Sequence, residues 1–130
     1  MQVFLIRHPR PRIDPGVCYG RLDVDCDDPQ PVAARLRLPP ATTIVSSPLR
    51  RARRLAEAIG PGVRVDARLA EIDFGDWEGR RWDDIDRAAL DDWAADVLNF
   101  TPPGGESVAD LQRRAVDLAG ELAATCGVPR

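Results

Sequence analysis

The sequence predicts an α/β fold: a mostly parallel sheet flanked by helices, arranged as a three-layer sandwich. Three observations carry that expectation. Val3 to Ile6 is an uninterrupted apolar run, the pattern of a central strand buried on both faces. Short runs at Thr42 to Ser47 and Val63 to Val65 alternate with longer segments whose apolar residues recur at helical spacing. The resulting order is strand, helix, strand, helix, strand, helix, helix, which closes into such a sandwich through right-handed crossovers.

Taken in order, the first strand ends abruptly at Arg7-His8-Pro9, and a loop with Pro9, Pro11 and Pro15 follows, where regular helix is forbidden. A short helix is expected from Asp28-Pro29 through Leu36, stopped by Pro39-Pro40. After the Thr42 strand, Ser47 reads as an N-cap with Pro48 at the first helical position. Leu49, Ala52, Leu55, Ala56 and Ile59 then form an apolar stripe that Gly60-Pro61 terminates. From Trp82, apolar residues at Ile85, Ala89, Trp93, Val97 and Phe100 predict one amphipathic helix, its tryptophans facing the core. Thr101 to Ser107 is a sharp loop, and Ser107 with Asp110 reads as a capping-box variant. The last helix buries Val108, Leu111, Ala115, Leu118 and Leu122, and Gly127 and Pro129 end it.

A chain of 130 residues with net charge -3 forms one domain and gives no reason to expect nucleic acid as a partner. All 18 basic residues are arginine, so only the position of an arginine carries information. Cys18, Cys26 and Cys126 show no metal-ligand spacing and read as reduced thiols. No apolar run reaches the length of a signal-peptide core or a membrane span. A soluble cytoplasmic protein with no membrane partner is the expectation.

Chemistry concentrates where the first strand ends. His8 is the only histidine, and ligands of open parallel sheets bind at the carboxyl ends of strands. A neutral imidazole is a nucleophile and a neighbouring guanidinium an anion clamp, a pair suited to attack on a phosphoryl group. Arg10, Arg12 and Arg21, with Tyr19 between, are placed to face an anionic ligand beyond His8. Arg50 and Arg51 occupy the first turn of a helix that follows a strand, where free N–H groups already favour an anion. Glu71, beside Leu69, Ile72 and Phe74, suits a general acid if partly buried, because burial raises a carboxyl pKa. Glu78 and Asp73 serve equally well on that reasoning.

Four blocks together resemble the histidine phosphatase superfamily, with its phosphoglycerate mutase-like fold. They are Leu5-Ile6-Arg7-His8-Pro9, Ser46-Ser47-Pro48-Leu49-Arg50-Arg51-Ala52, Leu69-Ala70-Glu71 with Phe74 to Gly79, and Pro103-Gly104-Gly105-Glu106-Ser107. The variants C-Y-G-R-L-D and P-P-G-G-E-S look most like the α-ribazole phosphatase branch, which acts in cobalamin synthesis. The resemblance implies a phosphomonoesterase acting on a phosphorylated small molecule such as α-ribazole 5'-phosphate. His8 would become phosphohistidine, with Arg7 and Arg51 as phosphoryl clamps. Glu71 would be the acid and then the base, and no metal or other cofactor is implied. Arg21, Tyr19, Glu106 and Ser107 would join Arg7 and Arg51 in binding substrate. A binder without turnover, or a mutase, are the alternatives.

The resemblance also implies a second active-site histidine on a later strand lying between the Val3 strand and the Thr42 strand. This sequence carries neither, so residues 1–130 read as a single domain truncated at its C-terminus, lacking its last strand or strands. An unfilled edge at Val3 to Ile6 exposes backbone N–H and C=O groups. Lower stability, or a homodimer through that edge, is the expected consequence.

Overall fold

The computed structural model describes residues 1–126 and has an α/β architecture built around a small parallel sheet. Strand β1 (Val45–Ser46) pairs in parallel with β2 (Arg64–Val65), Val45 opposite Arg64 and Ser46 opposite Val65. The ladder runs one step further at each end, through Arg64 N–H to Ile44 O and Asp66 N–H to Ser46 O. Helix α2 (Arg50–Ile59) crosses between them, burying Leu55 and Ala56. Helix α1 (Gln30–Arg35) lies against α2. Both helices end close to the positions read from sequence. The start of α2 is shifted: Leu49, not Ser47, is the cap residue, and the Ser47 hydroxyl accepts the Leu49 N–H at 3.2 Å.

The expected central strand at Val3 to Ile6 does not form. These residues have no ladder partner among the described residues, and Leu5 is 94% exposed. A strand exists only where a neighbour completes its hydrogen bonds, and the apolar pattern that suggested double-sided burial has nothing here to bury it. Among the described residues the sheet is accordingly two strands wide, and the Thr42 to Ser47 strand contracts to the two residues paired with β2.

The single helix expected from Trp82 to Phe100 is also corrected. A 3₁₀ turn at Trp82–Asp84 is followed by a shorter helix, α3 (Arg87–Ala95). Asp86 caps α3 by accepting the Ala88 N–H, and beyond Asp96 its carboxylate accepts the Asn99 N–H. Short acidic side chains that bond nearby amides compete with continuous helix. The apolar residues nevertheless converge. Trp77, Ile85 and Cys18 are buried, with Phe74, Trp82, Ala89, Leu90, Trp93 and Phe100 packed on them. Trp82 stacks on Trp93 at 5.8 Å and Trp77 on Phe100 at 5.7 Å between ring centroids.

Helix α4 (Val108–Cys126) opens with the anticipated reciprocal cap. Ser107 Oγ accepts the Asp110 N–H at 3.1 Å, and Asp110 accepts the Ser107 N–H at 3.0 Å. Of its expected inner face, Leu118 is buried, Val108, Leu111 and Leu122 are half-buried, and Ala115 is exposed. Ion pairs from Arg64 and Arg68 to Asp66, Asp117 and Glu121 fasten α4 to β2 and to the 3₁₀ turn Ala67–Leu69. The helix stop expected at Gly127 and Pro129 lies outside the described residues. None of the described helices is long and apolar enough to cross a membrane.

Candidate active site

Three sequence blocks meet through backbone approaches that only glycine permits. A Cβ on Gly20 would run into the Ile72 carbonyl, and one on Gly75 into the Pro103 carbonyl and the Gly105 amide. Gly75 also has φ +59°, a conformation other residues enter at a cost. Asp76 N–H donates to Pro103 O at 2.8 Å, and Glu106 N–H to Asp73 O at 2.8 Å. The loop at 19–22, the segment 69–79 and the turn at 103–107 therefore form one connected surface.

Arg51 projects from the first turn of α2 into this junction and is 2% exposed. Its guanidinium donates to Leu22 O at 2.8 Å and Gly20 O at 2.5 Å, and lies over the Tyr19 ring at 5.0 Å. It has no carboxylate partner among the described residues. Arg50, its neighbour, turns the other way. Its backbone N–H donates to Asp23 Oδ1 at 2.7 Å and its side chain reaches Asp23 and Asp25. The anion favoured at the start of α2 is thus supplied from within the chain, by Asp23.

Glu78 is committed to structure. Its carboxylate accepts the N–H of Gly20 at 2.8 Å and of Leu22 at 3.1 Å. Burial, and then the charge of Glu78, push the nearby Cys18 thiol up to about 12. Asp73 is similarly occupied, by the Gly75 N–H at 2.8 Å. Glu71 is exposed, so the partial burial expected of it is absent, and its Oε1 accepts the Ile72 N–H at 3.1 Å.

Around Glu71 the backbone is held by arginines. Its carbonyl accepts from Arg21 Nε at 3.1 Å and from Arg114 at 3.2 Å. Both guanidiniums also reach Glu106 Oε1, which accepts the Asp73 N–H as well. Burial alone would raise the Glu106 carboxyl, but the Arg114 guanidinium and the Asp73 N–H outweigh it and hold it below the ordinary value. Glu106 and Arg21, expected to bind substrate, are here engaged with one another. The Ser107 hydroxyl is engaged in capping α4.

His8 is half-buried and Arg7 exposed. The His8 Nδ1 lies 2.7 Å from Pro9 O. A carbonyl can only accept, so Nδ1 is the donor here, and in the neutral imidazole the lone pair is then on Nε2. Arg7 has no ion pair among the described residues. The described residues contain no cluster of three or more His, Cys, Asp or Glu side chains set to hold a metal ion.

Sequence reasoning missed Arg114 and the structural part played by Glu78. The signal for Arg114 was available: it lies three residues after Leu111 and four before Leu118, a cation within an apolar helix stripe.

Comparison with known proteins gives a consistent picture. The sequence model of the histidine phosphatase superfamily (branch 1) matches residues 3–127. Glucosyl-3-phosphoglycerate phosphatase of Mycolicibacterium vanbaalenii is 36% identical over 133 residues, covering 93% of this chain and 59% of that protein. "Probable phosphoglycerate mutase GpmB" of Klebsiella pneumoniae is 33% identical over 131 residues, covering 88% of this chain and 59% of the relative. The solved structure of mycobacterial glucosyl-3-phosphoglycerate phosphatase Rv2419c superposes with TM-score 0.72 at 33% identity, covering 91% of this chain and 61% of that one. The chain thus spans about three fifths of the length of these relatives.

Proposed function

The chain belongs to the histidine phosphatase superfamily, branch 1, and from that premise we propose that it hydrolyses a small phosphomonoester through a phosphohistidine on His8. The observation that carries this reading is Arg51. A guanidinium buried with carbonyl partners but no carboxylate retains its full positive charge and spare donors, a site matched to a phosphoryl dianion.

In the proposed reaction His8 Nε2 attacks phosphorus while the ester P–O bond breaks. Arg51 and Arg7 hold the non-bridging oxygens, where negative charge is greatest. A protonated Glu71 gives its proton to the departing alcohol oxygen. The resulting carboxylate takes a proton from water, whose hydroxide displaces His8 from phosphorus and releases inorganic phosphate. The names of the relatives support a phosphoglycerate ester as substrate over α-ribazole 5'-phosphate, and Cys18 and Cys26, both buried free thiols, support a reducing cytoplasmic setting.

Labelled phosphomonoester, quenched during turnover, is expected to leave acid-labile phosphate on His8. Equal phosphate release by wild type and His8→Ala would remove the enzyme reading. A second reading has its own support: Val3 to Ile6, which leads directly into Arg7 and His8, is unpaired and exposed. A binder of phosphorylated ligands or of a protein partner, with binding dependent on Arg51 but no turnover, is the outcome that would favour it. In the same reading, the exposed segment pairs with that of a second copy.

A further inference from the structure

We infer that Arg114, acting with Glu106 and Arg21, positions the carboxylate of Glu71, an inference that rests on the reading of Glu71 as the acid. Arg114 sits on the inner side of α4, between half-buried Leu111 and buried Leu118. Its guanidinium donates to the carbonyls of Arg68 at 2.8 Å, Ala70 at 2.5 Å and Glu71 at 3.2 Å, and to both oxygens of Glu106 at 2.5 and 3.3 Å. Arg21, from a loop distant in sequence, adds a second donor to the Glu71 carbonyl at 3.1 Å and reaches Glu106 at 3.2 Å. Glu106 in turn accepts the Asp73 N–H at 3.0 Å.

The backbone is therefore fixed before Glu71, at Glu71 and after it, while the Glu71 side chain itself stands exposed. A reactive carboxylate on a clamped backbone is preorganised: its approach to a leaving oxygen does not have to be found anew in each encounter. None of the clamping groups touches the Glu71 carboxylate, so they are positioning residues and carry no proton. Loss of Arg114 leaves α4 held by Leu118 and by the ion pairs of Arg64 and Arg68 with Asp117 and Glu121.

The experiment measures kcat and KM on an alkyl phosphate and on p-nitrophenyl phosphate, whose leaving group needs little protonation. Wild type, Glu71→Gln, Arg114→Met, Arg21→Met and each arginine variant combined with Glu71→Gln are compared. Each arginine variant is expected to lower kcat on the alkyl ester roughly tenfold to a hundredfold, with KM little changed and a smaller loss on p-nitrophenyl phosphate. In the Glu71→Gln background the arginine changes should cost little more. Arg21 is 41% exposed, so Arg21→Met carries the test if Arg114→Met does not fold. Equal losses on both substrates, a rise in KM alone, or losses that multiply with Glu71→Gln would overturn the proposal. Absence of turnover, or of leaving-group selectivity in Glu71→Gln, overturns the acid reading and this inference with it. Selectivity in Glu71→Gln but in neither arginine variant overturns this inference alone.

Discussion

Glu78 and Arg51 grip the same two residues from opposite sides. Glu78 accepts the amide N–H groups of Gly20 and Leu22, and Arg51 donates to the carbonyls of those same residues. The buried guanidinium is thus held through a peptide segment whose own position depends on a carboxylate fifty-eight residues away in sequence.

That relationship predicts that Glu78→Ala loosens Arg51 without touching it. Unpairing the partly buried Gly20 amide, together with the exposed Leu22 amide, should cost about 1–3 kcal/mol of stability and weaken binding of inorganic phosphate in titration calorimetry. Unchanged melting and unchanged phosphate affinity would show that the loop holds Arg51 by itself.

Glu71→Gln should lower turnover of alkyl phosphates by about a hundredfold or more, the scale of general acid catalysis, and of p-nitrophenyl phosphate much less. Each tenfold loss corresponds to about 1.4 kcal/mol of transition-state stabilisation. Glu78→Gln supplies the contrast, since its carboxylate holds backbone: any loss it causes should fall on both substrates alike.

Gly75→Ala should be among the more damaging single changes. The added methyl group meets the Pro103 carbonyl and the Gly105 amide, and the positive φ disfavours any side chain. A loss of roughly 1–3 kcal/mol is expected from overpacking, read as a fall in the denaturant midpoint. Gly62→Ala, also at positive φ but with no atom near its would-be Cβ, separates strain from collision, and the two should differ.

Stability should decline on acidification. Bonds from the Arg68 side chain and amide hold the Asp66 carboxyl below its ordinary value, as bonds from Arg64 and Arg68 do for Glu121. Arg114 and the Asp73 N–H do the same for Glu106, against the opposing effect of burial. A carboxyl whose folded pKa is depressed stabilises the fold above its unfolded value of about 4 and loses that contribution as pH falls through the folded value. Thermal melts should therefore be nearly flat from neutrality to about pH 5 and fall below about pH 4. The fall should be smaller in Glu121→Gln. A midpoint that rises on acidification would contradict these assignments.

Val3 to Ile6 should make the chain associate. Five consecutive exposed residues if Gln2 is included, four of them apolar, offer unpaired backbone on both sides. Sedimentation is expected to show concentration-dependent dimers that Leu5→Asp abolishes. A monomer at all concentrations would exclude pairing through this segment.

What sequence revealed followed the range of the interactions involved. The Ser107–Asp110 cap and the Gly60 end of α2 depend on residues within four positions of one another, and both were legible. The strand at Val3 was not, because a ladder is defined by a distant partner that an apolar run cannot specify. A helix from Trp82 to Phe100 does not run through because the Asp86 and Asp96 side chains bind backbone amides, which the spacing of the apolar residues does not reveal. In the site, spacing could not choose among Glu71, Asp73 and Glu78, since all three share one segment. In the structure Glu78 is taken up by the distant amides of Gly20 and Leu22 and Asp73 by that of Gly75, whereas Glu71 accepts only the adjacent Ile72 amide and is exposed.

The indole packing has a practical consequence for any unfolding study. All three tryptophans, Trp77, Trp82 and Trp93, belong to one aromatic cluster, so intrinsic fluorescence reports on that cluster and is blind to the two-stranded sheet and α4. Far-ultraviolet dichroism draws instead on all four described α-helices, of which α4, with nineteen residues, is the longest. If the two halves of the molecule open separately, the two optical signals will trace different transitions, and the interval between them measures how strongly the glycine-lined junction couples one half to the other.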